Sequence, residues 1–134
     1  MIFQEYGLSI AALGFIAVLM LIQILVSDVL GILRKHVPGT PVQADHANLL
    51  FRASRTVGNT NESIAVFICA LLFCMLSAAS PLYTAYAAWA FALSRTAYAI
   101  FYYANVPVAR SVSFGFSLLA IAALLVVGLF TQGA

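Results

Sequence analysis

Arg52, Arg55, Asn59 and Glu62 follow one another at positions i, i+3, i+7 and i+10. On a helix their side chains fall within an arc of about 80°, which makes them one polar stripe. Further along, Arg95, Tyr98 and Tyr102 repeat the pattern at i, i+3 and i+7, and Arg110 with Ser111 opens the segment after Pro107. A guanidinium is a planar fork that takes a carboxylate at two points. Asn, Glu and Tyr offer acceptors and donors suited to an amine or a peptide group. Together these residues predict a pocket for a small anion. No metal is called for.

The elements that must position this set are set by composition. The chain has 134 residues, of which 64% are hydrophobic and only 7% charged, with a mean hydropathy of +1.06. A soluble domain carries about 25% charged residues, so a water-exposed fold is excluded, and so is disorder. An outer-membrane barrel would alternate apolar and polar residues in segments of about ten; the apolar runs here are continuous. The expectation is an all-α integral membrane four-helix bundle forming a single domain. A net charge of +2 with no basic run excludes a nucleic-acid partner. Cys69 and Cys74 point about 140° apart on a helix, too far for a mutual disulfide, and read as two small buried hydrophobes. Met1 to Tyr6 lack the basic start of a cleavable signal, and the apolar run that follows is too long for one.

A spanning helix needs about 20 apolar residues. Punctuation places four helices at about 8–33, 46–79, 81–103 and 107–130, in one unit covering 1–134. Asp45 is the expected N-cap of the second helix. Pro81 and Pro107 sit in opening turns, where a missing N–H costs nothing. From Ala47 to Ala79 the second helix would be roughly 50 Å long, more than the hydrocarbon core needs. Arg34, Lys35, Arg52, Arg55 and Arg110 lie at or beside the 1–2 and 3–4 connections, and the termini and the 2–3 turn carry no Lys or Arg. The positive-inside rule therefore places both basic connections in the cytoplasm and both termini outside it. Arg95 falls in the same cytoplasmic half. Charge inside a bilayer costs at least about 2.5–3.5 kcal/mol at the centre, so these residues should face the bundle or a neighbouring subunit.

Simpler uses of the same residues remain open. Arg34 and Lys35 suit snorkelling to headgroups, Glu62 suits neutralising Arg55 or Arg95, and Tyr102 and Tyr103 suit an interfacial belt. A small multidrug exporter also has about four short helices. Its lone deep carboxylate would not be preceded by two arginines on the same face, as Glu62 is.

The two motifs resemble a known family, the membrane-associated proteins in eicosanoid and glutathione metabolism (MAPEG). The run from Arg52 to Glu62 is similar to its R-x-x-R-x-x-x-N-x-x-E second-helix signature. The run Arg95-x-x-Tyr98-x-x-x-Tyr102-x-x-x-Val106-Pro107-x-x-Arg110-Ser111 resembles the third-to-fourth-helix segment of small bacterial members. Phe51 stands where an acidic residue is usual, and Val57-Gly58 where a polar pair is frequent. The resemblance implies a homotrimer in a bacterial inner membrane, with glutathione held between subunits near the cytoplasmic face. It implies glutathione contacts from Arg55, Asn59 and Glu62, from Tyr98 and Tyr102, and from Arg34 at the end of the first helix. Arg110 would activate the thiol; Arg52, Arg95 and Ser111 complete the expected binding set. The expected activity is that of a glutathione transferase or peroxidase, acting on hydrophobic electrophiles or lipid hydroperoxides that arrive from the membrane lipids. The alternative is a non-catalytic lipid-binding or assembly protein of the same fold.

Overall fold

The computed structural model describes residues 4–132. It contains four helices, α1 (Gly7–Leu33), α2 (Leu49–Leu76), α3 (Pro81–Tyr103) and α4 (Pro107–Gln132), and no strand among the described residues. Pro81 and Pro107 each open a helix, as their fixed φ and missing donor favour. α1, α2 and α4 are each long and apolar enough to cross a membrane. α3 is more polar, and it turns that polarity inward: Thr84, Arg95, Tyr98 and Tyr102 are all buried.

The second helix differs from its expected bounds at both ends. Asn48, not Asp45, is its N-cap, accepting from Leu50 N at 3.0 Å. The Asp45 carboxylate instead accepts from Ala47 N at 2.9 Å, closing a local turn that holds the chain out of the helix. At the other end Ala78 takes a left-handed conformation (φ 52°), and Ala79 N donates to Cys74 O at 3.0 Å. That pair of features closes the helix at Leu76. The result is 28 residues, roughly 42 Å instead of the expected 50 Å.

α1 and α3 are joined at the end distant from the basic connections. Tyr6 Oη donates to Ala79 O at 2.5 Å, and Trp89 Nε1 donates to Leu8 O at 3.1 Å. The core below is built on Phe67 and Phe91, whose rings stack with centroids 4.1 Å apart. Ala12, Ala70, Ala88 and Ala92 around them are wholly or almost wholly buried; such small residues let membrane helices approach closely. Outward, α1 and α4 display Leu21, Ile22, Leu25, Leu119 and Phe130, a surface made for lipid tails. Cys74 is buried and its Sγ donates to Leu124 O at 2.9 Å, whereas Cys69 is exposed and both thiols are free. The reading of two buried hydrophobes therefore holds for Cys74 alone.

Candidate functional site

The site grows from the interhelical contacts of α3. Arg95 is completely enclosed, and its Nη2 donates to Asn59 Oδ1 and to Thr60 Oγ1, each at 2.9 Å. The Thr60 hydroxyl passes its own proton to Thr56 O at 3.0 Å, so α2 presents Arg95 with acceptors already oriented. The guanidinium carbon of Arg95 lies 4.4 Å from the centre of the Tyr98 ring. Tyr98 meets Tyr102 edge-on with centroids 5.5 Å apart, and Arg110 from the first turn of α4 places its guanidinium carbon 4.4 Å over the Tyr102 ring. An Arg–Tyr–Tyr–Arg ladder thus runs down one side of α3, its last arginine supplied by α4. Each cation–ring contact contributes about 0.5–2 kcal/mol depending on how dry it is.

Arg52 is turned to a different task. Its Nη1 donates to the carbonyls of His46 (2.6 Å) and Ala47 (3.0 Å), and its Nε donates to Tyr103 O at 3.3 Å. It clamps the end of α3 to the start of α2, and three of its donor contacts are spent on backbone. Arg55 and Glu62 are exposed on α2, with Arg55 within electrostatic reach of Tyr98 and Glu62 within reach of Arg95. Neither makes a hydrogen bond or ion pair with another described residue. Asn59, between them, is half-buried and held by Arg95.

Two further members of the expected set also stand apart from the α3 ladder. Arg34 is exposed at the end of α1 and lines a separate cavity of about 430 Å³ with Lys35, His36, Gln43 and Asn48. Ser111 is exposed and returns its hydroxyl to Pro107 O at 3.0 Å. One residue that helical spacing did not single out joins the ladder. His46, on the 1–2 connection, lies 3.4 Å by Nε2 from the Tyr102 hydroxyl. It sits outside any helix, so no periodic pattern could reveal it.

The chain therefore combines an overlong α2 bearing the R-x-x-R-x-x-x-N-x-x-E run with an α3–α4 corner that stacks Arg110 on Tyr102. The MAPEG family model matches residues 8–130. The chain belongs to the MAPEG family. Comparison with curated proteins gives no significant match. MAPEG membership and the three helices long and apolar enough to cross a membrane support an integral membrane protein of the glutathione and eicosanoid metabolism family. In this MAPEG chain Asn59, Arg95, Tyr98, Tyr102 and Arg110 are linked through contacts within the chain, while Arg55 and Glu62 are exposed on α2.

Proposed function

We propose that the protein is a glutathione transferase or peroxidase of the MAPEG type, working as a homotrimer in a bacterial inner membrane. The observation that carries this reading is the placement of Arg110 on Tyr102, which fixes a guanidinium at the end of the bundle beside a phenol donor. A free thiol has a pKa near 8.5 and reacts as its thiolate. At pH 7 only about 3% of it is ionised; lowering the pKa by about two units brings the fraction above one half. A fixed cation and a hydroxyl donor supply that change by stabilising the anion.

The donor set also fits the rest of the tripeptide. Arg55 suits a carboxylate, Glu62 suits the ammonium group, and Asn59 suits a peptide group. The exposure of Arg55 and Glu62 supports the trimer. Glu62 lies roughly 20 Å along α2 from its start, and such a charge is not left against lipid. A neighbouring subunit, with glutathione between, would cover it. The thiolate would then attack a hydrophobic electrophile arriving from the bilayer. With an aryl halide, a carbon–sulfur bond forms and halide leaves.

Calorimetric titration of the detergent-solubilised protein with glutathione tests the reading, together with turnover of a hydrophobic aryl halide. Saturable binding, an ultraviolet thiolate band and conjugate formation are expected. Binding without turnover would favour a non-catalytic lipid-binding or assembly role, and no binding at millimolar glutathione would overturn both the site and its chemistry. Mass photometry should give the mass of three chains; a monomer would overturn the intersubunit site.

A further inference from the structure

His46 is held more firmly than an exposed loop side chain needs to be. Its carbonyl accepts from Arg52 Nη1 at 2.6 Å. Its ring lies nearly parallel to that of Tyr102, with 13° between the planes and 6.1 Å between centroids. Phe51 meets it edge-on at 5.1 Å and 84°. These contacts set Nε2 at 3.4 Å from the Tyr102 hydroxyl, on the same phenol that Arg110 covers.

A phenol carries one proton and can also accept. When the imidazole Nε2 is bare, it accepts that proton and turns the Tyr102 hydroxyl toward the connection. When Nε2 carries a proton, it donates to the phenol oxygen and leaves the Tyr102 proton free for another acceptor. Protonation of the ring enforces the second arrangement, because both ring nitrogens are then donors. The charged and titratable groups around the ring are few. Asp45 neighbours it on the same connection, Arg52 grips its backbone from α2, Tyr102 with Tyr98 behind it comes from α3, and Arg110 comes from α4.

We infer that His46 is a positioning residue for Tyr102: it sets the direction of the hydroxyl proton and hence whether Tyr102 can donate to a sulfur anion beside Arg110. The sulfur anion rests on the proposed glutathione chemistry; the coupling of His46 to Tyr102 does not. Protonation of the His46 ring therefore strengthens Tyr102 as a donor, up to the point at which the thiolate itself is protonated.

The test compares wild type with His46→Phe, which keeps the ring and removes the nitrogen, and His46→Gln, which keeps an untitratable donor. In the absence of glutathione, the near-ultraviolet phenol band of wild type should shift on acidification. The shift should vanish in His46→Phe and in Tyr102→Phe. With saturating glutathione, and under conditions in which Nε2 of wild type carries a proton, the thiolate band of His46→Phe should fall about three- to tenfold below that of wild type, the worth of one hydrogen bond. Glutathione affinity should change less than the band does, and His46→Gln should restore most of the band while losing its pH dependence. Identical bands and pH profiles in wild type and His46→Phe overturn the inference. If wild type binds no glutathione, the proposed function falls, and the phenol band alone then decides whether His46 governs Tyr102. Circular dichroism of each variant checks that the helices are intact, and a misfolded His46→Phe is replaced by His46→Gln, whose phenol band must likewise lose its pH response.

Discussion

Arg95 illustrates what a buried cation asks of its surroundings. It is fully enclosed, yet only Nη2 has hydrogen-bond partners among the described residues; Nε and Nη1 have none. Asn59 and Thr60 therefore carry much of the compensation for its charge. Thr60→Val keeps the side-chain shape and removes one acceptor. A hydrogen bond to a charged group is worth about 1.5–3 kcal/mol, so thermal unfolding in detergent should shift clearly downward. An unchanged midpoint would mean that Asn59 alone satisfies Arg95. Arg110 sits at the open end of the same ladder, half-buried, and its substitution separates two roles. If it stabilises the thiolate, Arg110→Ala keeps most glutathione affinity and loses the thiolate band and nearly all turnover. If it binds a carboxylate, affinity falls and saturating glutathione restores much of the rate. Arg110→Lys retains charge without the fork, so it should rescue the first role better than the second. Asn59 on the α2 stripe and Arg95, Tyr98 and Tyr102 on the α3 stripe were legible in the sequence from helical spacing, and Arg110 from its place in the turn that Pro107 opens. His46 was not, since its place depends on a turn closed by Asp45, and the use of Arg52 on carbonyls leaves no mark in spacing.

Helix α2 shows where reading elements from sequence works and where it stops. The bounds of α3 agree with the expected ones because Pro81 starts that helix and Asn105, left-handed at φ 58°, ends it. The start of α2 was misplaced because Asp45 is of a type that caps helices, and only the hydrogen bond from Leu50 N shows that Asn48 does so here. The close packing of α2 against α4 was not legible at all. A Cβ on Gly128 would stand 2.5 Å from Cε1 of Phe73, so the glycine is there for space. Gly128→Ala must push the half-buried Phe73 ring aside, and overpacking of this kind costs about 1–3 kcal/mol. The melting midpoint should fall, and adding Phe73→Leu should recover part of the loss. A double variant no better than the single one would locate the strain elsewhere.

At the scale of the whole molecule, the basic residues collect at one end. The clamp from Arg52 to Tyr103 O shows that the start of α2 and the end of α3 share that end. The proposed orientation puts it in the cytoplasm, which single-cysteine labelling in a Cys69→Ser background can check. A membrane-impermeant maleimide applied to intact cells should modify Ser80→Cys and leave Gln43→Cys untouched; the reverse pattern would invert the protein in its membrane. The opposite end holds the only tryptophan of the chain. Trp89 is fastened to Leu8 O and leans on Phe15 at 5.5 Å, roughly 20 Å along α3 from Tyr103. Intrinsic fluorescence is therefore a gauge of the α1–α3 joint: its emission should stay still while glutathione binds at the far end and redden only when α1 peels away from α3.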